Sequence, residues 1–396
     1  MLRKYLNDGN GGQAFGKVVN RARIVAMLRG GRHLSRAFLA TSLGLTRATV
    51  SSQVAELISL GVVHELGTGE SSGGRRAVMI GIDGAAGVVL GLSVSTGDLH
   101  VLVRDLAGNV VADQLVPLAS HEPEAVVRAA AGAVRAVRER FVDSRYGLVG
   151  SGIAVPGTVD RSSGTVYRSA KLGWSTVPLG PLLEAQGVLG VSVGNDATLA
   201  CIAEHELSSP ETQNFVSLII DEGIGSGAYI NGAPFLGSND QFGEFGHMTI
   251  SQAGERCPCG NVGCWDLYGS ELALTRALGE SRGTDPLGPE ALSAALAHPD
   301  EATRRVLDSF VAYNVSGVVS ILNAIAPSVV VINSSVFAAA PDLFGQLKAG
   351  VASRALARPG SFELRLSRLG KTAPATGAAL AAADAFFDEL ALSEVH

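Results

Sequence analysis

Three of the four cysteines in this 396-residue chain fall within Cys257-Pro-Cys259-Gly-Asn-Val-Gly-Cys264, and His247 stands ten residues before the first of them. Three thiolates and one imidazole complete a tetrahedral zinc shell, and glycines let the loop wrap the ion. Four protein ligands leave no open coordination position. His247, Cys257, Cys259 and Cys264 are therefore expected to hold a structural zinc, the competing reading being reduced structural cysteines or a redox pair. Cys201 stands alone on a predicted helix and reads as a small core residue. Two further polar clusters have no obvious structural purpose. Asn195-Asp196 lie where an apolar strand runs into a helix, the usual place for ligand groups in α/β sheets. Glu244-Phe-Gly-His247 adjoins the cysteine loop, which would fix Glu244 and the His247 ring. Carboxylates and amides converging on one place suit bidentate hydrogen bonding to vicinal hydroxyls, as on a sugar. Either pair alone reads better as helix capping and loop hydrogen bonding; it is the combination that points to a ligand.

These residues need a scaffold, and from about residue 85 the pattern supplies buried strands alternating with helices. GVVLGLSVS and LHVLVRDLAGNVVADQLV read as strands with a turn at Ala107–Asn109, and EPEAVVRAAAGAVRAVRERF as a helix. LVGSGIAVPG is a further buried strand, and VLGVSVGNDA is a strand leading into the helix TLACIAEHEL. NFVSLIIDEGIGSGAYINGAPF reads as a hairpin, SGVVSILNAIA then SVVVINSSV as helix and strand, and TGAALAAADAFFDEL as a closing helix. Mixed α/β layers follow from this alternation. The uncharged run Ser309–Pro341 is cut by Pro327 and interrupted by Asn314, Asn323 and Asn333. It fits a buried helix and strand better than a membrane span.

The length implies two or three domains, and a composition of 46% hydrophobic and 17% charged residues excludes a disordered chain. Four cysteines exclude a disulfide-built scaffold. MLRKYLNDGNGGQ has no apolar signal region, so a cytoplasmic protein is expected. The net charge of −6 hides a division. Residues 1–76 carry eleven Lys/Arg against four Asp/Glu, giving +7, and the remainder carries twenty against 33, giving −13. A basic head on an acidic body marks a separate nucleic-acid-binding module. Within it, KVVNRARIVAML has helical spacing, Ser35 reads as the cap of RAFLATSL, and Thr46 as the cap of RATVSSQVAELISL. Val50, Val54, Leu57 and Ile58 form the inward face; Thr49, Ser52, Gln53 and Glu56 fall opposite. Two short helices joined through Gly44 make a helix-turn-helix, whose second helix enters the major groove by its N-terminal end. Arg47, Ala48, Thr49, Ser52 and Gln53 would face DNA there, Arg47 on phosphate or guanine and Gln53 on adenine. VVHELGTGESSGGRRAVMIGI then reads as a wing whose Arg75 and Arg76 contact phosphate or the minor groove.

Head and body together resemble the ROK family of repressors, unassigned reading frames and kinases, in its winged-helix regulator branch, from about Lys17 to Leu392. The carrying motifs are the SRAFLATSLGLTRATVSSQVAELISLGVV head, the GGRR wing, and GIAVPGTVD, LGW, GNDA, GIGSG, GEFGH and CPCGNVGCWD. The resemblance implies an α/β body of two actin/hexokinase-like lobes with ligand in the cleft between them. It implies a winged helix-turn-helix over residues 1–82, a first lobe over 83–195 plus 372–396, and a second over 196–371 bearing the zinc loop and an oligomerisation surface. It also implies that Asn195, Asp196, Glu244, His247 and Asp266 hold sugar hydroxyls.

Departures from the kinase branch point away from catalysis. The kinase phosphate loop Asp-x-Gly-Gly-Thr-Lys is replaced by Ser93-Val-Ser95-Thr96-Gly97-Asp98, which loses the leading carboxylate and the cation and adds an acid. A glycine-rich adenosine loop is replaced by Asn333-Ser334-Ser335. Lys171 stands before LGW where Asn is frequent, and Asp266 where Glu is, which leaves the sugar's identity open. No catalytic residue is expected. The expected protein is a homodimeric or homotetrameric repressor that reads a palindromic duplex operator and answers to a monosaccharide or sugar derivative, without a membrane. The rivals are an ATP-dependent sugar kinase that kept a DNA-binding head, and a regulator that needs no ligand.

Overall fold

The computed structural model describes residues 13–68, 77–209, 211–356, 358 and 360–392. The chain divides into two compact units. The first comprises residues 1–157, 161–194 and 378–396, and the second residues 158–160 and 195–377.

The first unit opens with α1 (Gln13–Leu28), β1 (Leu34–Ser35), α2 (Arg36–Leu43), α3 (Arg47–Ser59), β2 (Val63–Thr68) and β3 (Val78–Ile82). Local chemistry sets these boundaries. The Ser35 hydroxyl accepts from Phe38 N, and Gly44 ends α2 in the left-handed conformation. The Thr46 hydroxyl accepts from Thr49 N and starts α3. The strands form a sheet of order β1-β3-β2, with β3 antiparallel to both neighbours. Arg75 and Arg76, expected at the tip between β2 and β3, lie outside the described residues.

β4 (Gly87–Val94), β5 (Asp98–Asp105) and β6 (Val110–Pro117) follow, then α4 (Pro123–Arg140), β7 (Gly147–Val155), the short β8 (Thr158–Asp160), which belongs to the second unit, the hairpin β9 (Thr165–Ser169) and β10 (Trp174–Val177), α5 (Leu179–Ala185) and β11 (Val191–Asn195). The main sheet runs β11-β7-β4-β5-β6, with β4–β5–β6 an antiparallel meander and β7 parallel to β4. Its central strand is buried nearly throughout, as its unbroken apolar sequence requires.

The second unit contains α6 (Asp196–Glu206), β12 (Phe215–Ile220), β13 (Ile224–Ile230), β14 (Ala233–Pro234), α7 (Asp266–Gly269), α8 (Glu271–Arg282), α9 (Pro289–Ala297), α10 (Glu301–Ile325), β15 (Val329–Asn333), α11 (Ser335–Ala339), α12 (Pro341–Arg354) and β16 (Glu363–Leu366). Its sheet runs β16-β15-β12-β13-β14, a meander flanked by two parallel strands. Strand for strand this repeats the order of the first unit, so one topology is built twice. α10 is long and apolar enough to cross a membrane, but 56% of its most apolar window is buried. Leu307, Phe310, Val318 and Leu322 pack in the core with β12 and β15.

α13 (Ala373–Leu392) begins in the second unit and ends in the first. Its Ala379, Ala382, Ala383, Phe387 and Leu390 share one core with Ile24, Leu28, Leu39, Val54 and Leu57 of the head. The head therefore does not close its core alone.

Candidate functional site

The start of β13 organises the residues expected to bind a ligand. Asp266, first residue of α7, accepts a 2.6 Å hydrogen bond from Ile224 N at its Oδ1. Burial raises its carboxyl above the usual range, and the amide of Ile224 offsets part of that rise. The segment Glu244–His247 lies against the same strand. The Ser226 hydroxyl bonds to Gly243 O, and a Cβ at Gly246 would collide with the carbonyl oxygen of Ile224. Only glycine lets the loop approach so closely. On α6, Ala197 packs against Gly225 and Thr198 against Gly227. One strand thus holds the α6 start, the Glu244 loop and Asp266.

Glu244 and His247 face each other, with Oε2 3.8 Å from Nε2. The other imidazole nitrogen, Nδ1, lies 3.7 Å from Cys257 Sγ, and Cys259 Sγ lies 3.7 Å from Cys264 Sγ. Each of the four residues offers one ligand atom, and all four atoms lie within 4.8 Å of one another; this set could hold a metal ion. The loop is fixed without any ion as well. Cys257 N donates to Asn261 O at 2.8 Å, and Asn261 Nδ2 donates to His247 O at 3.0 Å. Short bridges join Thr249 to Cys264 and Arg256 to Val262. Burial raises the Cys257 thiol and pushes that of Cys264 up to about 12, whereas the Asn261 backbone amide lowers that of Cys259.

Asn195 ends β11 as the cap of α6, and Asp196 is the first residue of that helix. Asn195 Oδ1 accepts from Thr198 N at 2.9 Å, so it caps the helix, and Asp196 Oδ1 accepts from Ala197 N at 2.8 Å. Glu244 and His247 meet by their own side chains; Asp266 joins them through its bond to Ile224 at the start of β13, and Asn195 and Asp196 through the packing of α6 on the same strand. Cys201 is buried in a small core with Phe215 and Val331, and its burial raises the thiol strongly.

In the head, Arg47, Ala48 and Ser52 are exposed on α3, and Thr49 is half-buried with its hydroxyl 2.8 Å from that of Thr46. Gln53 does not join them. It is only 2% exposed, and its Nε2 donates to Glu56 Oε2 at 3.3 Å. The cause is Arg21 of α1, itself 2% exposed, whose Nη2 donates to the same Glu56 oxygen at 2.6 Å. A buried guanidinium needs a carboxylate, so the Gln53–Glu56 edge of α3 turns toward α1. The exposed stripe instead adds Ser51 and Ala55, at helical spacing from Ala48 and Ser52. That spacing was available in the sequence; the Arg21–Glu56 pair, 35 residues apart, gave no signal.

The two segments that depart from the kinase pattern are closed by their own bonds. Ser95 N donates to Asp98 O at 2.9 Å, and Asp98 N to Ser95 Oγ at 3.0 Å. After β15, Asn333 Nδ2 donates to Gly370 O at 2.8 Å, Ser334 caps α11, and the Ser335 hydroxyl bonds to the Glu271 carboxylate. The β12–β13 turn carries Asp221 and Glu222 and no cation.

A duplicated sheet with these groups at one strand end defines the actin/hexokinase-like α/β body. The ROK hexokinase of Thermus thermophilus superposes with a TM-score of 0.64 at 27% identity, covering 74% of this chain and 97% of that one. A ROK family transcriptional regulator, described as a homologue of the Escherichia coli MLC protein, superposes with a TM-score of 0.77 at 24% identity, covering 95% and 98%. The Xylose repressor of Bacillus subtilis (strain 168) is 33% identical over 383 residues, 96% of this chain and 99% of that protein. The ROK family model matches residues 89–385. The chain belongs to the ROK family.

Proposed function

We propose that this protein is a sugar-responsive, DNA-binding repressor of carbohydrate-metabolism genes. Its head is read as a winged helix-turn-helix, with Arg47, Ala48, Thr49 and Ser52 on the groove side of α3 and Arg75 and Arg76 on the wing. The observation that carries the reading is the presence, in one chain, of an exposed α3 stripe and an imidazole–carboxylate site backed by thiols. Glu244, His247 and Asp266, with Asn195 and Asp196 on α6, would bind the hydroxyls of the effector. With Asp221 and Glu222 close by and no cation in the β12–β13 turn, the site favours a neutral polyol over a polyanion.

His247, Cys257, Cys259 and Cys264 fit a structural zinc. With Zn–S near 2.3 Å, a tetrahedral shell has ligand–ligand edges of about 3.8 Å, close to the 3.7 Å spacings found. When bound, the ion would supply positive charge on the Nδ1 side of His247. His247 would then keep its Nε2–H for Glu244 or a sugar hydroxyl. Phosphoryl transfer is not part of this reading: Ser95 and Asp98 close their turn on each other, and Asn333 and Ser335 are bonded within the fold. The protein would act in the cytoplasm as a homo-oligomer, with paired heads on a palindromic operator.

The test is fluorescence anisotropy of duplexes selected by the protein from a random pool, titrated with D-xylose and with N-acetylglucosamine. Binding that weakens with salt and shifts with a sugar, the shift being lost in Glu244→Gln, supports the reading. Sugar-dependent ATP turnover would instead favour a kinase.

A further inference from the structure

We propose that helix α13 carries the state of the ligand site to the DNA-reading head. The inference rests on the sensor reading above.

Its first turn belongs to the second unit, where Ala373 and Ala375 are fully buried. Gly377 lies directly on α6: a Cβ there would collide with the carbonyl oxygen of Leu199. Leu199 is one turn from Asp196. Backbone packed on backbone leaves no compliant side chain to absorb a shift of α6. A second clamp lies at the other end of α6. Glu204 is fully buried; Ser367 Oγ bonds to its Oε1, Leu369 N donates to it at 3.4 Å, and Arg365 Nη1 stands 3.7 Å from its Oε2. Ser367 Oγ in turn accepts from Gly370 N at 2.7 Å, and Gly370–Thr372 is the turn that starts α13. The helix bearing Asn195 and Asp196 is therefore tied twice to the beginning of α13.

The far end is tied to the head. Arg29, the residue that follows α1, forms an ion pair with Asp384 and lies 5.5 Å over the ring of Phe387. Val18 packs with Ala391, and Phe387 and Leu390 lie in the core that also holds Ile24 and Leu28. Between the two anchorages the sequence Ala378-Ala-Leu-Ala-Ala-Ala-Asp-Ala has no proline or glycine and strong helix formers, so the rod is stiff. A ligand that binds one position of α6 more tightly biases α13, and through it α1, by that difference in affinity.

Amide hydrogen exchange of the full chain tests this. Glu204→Gln loosens the α6 clamp; Ser367→Ala replaces it should that variant fail to fold. Asp300→Ala, which removes the cap on α10, is the control for general loosening of the second unit. If α13 transmits, Glu204→Gln speeds exchange about tenfold not only at residues 195–206 and 363–377 but also at 378–392 and 17–28, and Asp300→Ala leaves 17–28 unchanged. Faster exchange that stops at residue 377, or equal effects of both variants on 17–28, overturns the proposal. In the wild type, D-xylose that protects residues 195–200 and 244–266 should also alter 17–28; protection confined to the second unit overturns it too. Should D-xylose protect neither segment, the sensor reading for this sugar fails and the Glu204→Gln comparison alone decides the link.

Discussion

Replacing Glu56 by Ala should destabilise the head through its pair with Arg21, away from the exposed stripe of α3. Arg21 is 2% exposed and its Nη2 lies 2.6 Å from Glu56 Oε2, which Gln53 Nε2 also reaches at 3.3 Å. Removing one partner of a fully enclosed ion pair costs about 3–5 kcal/mol, because the other charge stays buried. The Glu56 side chain is 28% exposed, so water screens part of this and about 2–3 kcal/mol is expected. In a unit of this size that lowers Tm by about 4–10 °C, read by calorimetry with Ser52→Ala as the surface control. The double variant Arg21→Met, Glu56→Leu removes both charges and should recover most of the loss, since well-packed apolar pairs replace buried ion pairs at little cost. A Glu56→Ala protein as stable as wild type, or a double variant no better than the single, would refute the reasoning.

Metal analysis should return about one zinc per chain, and Cys257→Ser should lose it together with thermal stability. Asp266→Asn should raise stability at neutral pH: the half-buried carboxyl has a raised pKa, so its ionisation costs stability as pH rises through that value. The advantage of Asn should therefore shrink as pH falls below about 4, where Asp266 is protonated, as followed by melts across pH. Arg47→Ala should weaken duplex binding and reduce the slope of log affinity against log salt by about one, whereas Gln53→Ala should leave that slope unchanged.

What could be read from the residues alone was what is local. Ser35, Gly44 and Thr46 act on neighbours within three or four positions, and the structure uses them as caps. The cysteine loop was legible because its four donors lie within eighteen positions of one another, so little chain has to be arranged to bring them together. Gln53 was misplaced because its surroundings depend on how α1 crosses α3, which helical periodicity does not record. The repetition of strand order was invisible for a similar reason: β4 pairs with β7 and β12 with β15 across long intervening segments, and the two units share no sequence pattern that reveals it. The tying of Asn333 to Gly370 was likewise hidden, since polar residues after a buried strand are equally consistent with an open loop.

The shared core of the head and α13 has a consequence for biosynthesis. α1 to α3 leave the ribosome early, but the apolar positions that complete their packing, Ala379 to Leu390, are translated more than three hundred residues later. Closing so long a loop is slow. A stalled or prematurely terminated polypeptide would contain Arg47, Ala48, Thr49 and Ser52 and still lack a finished platform for them, so on the proposed function duplex binding would wait until the whole body has been made.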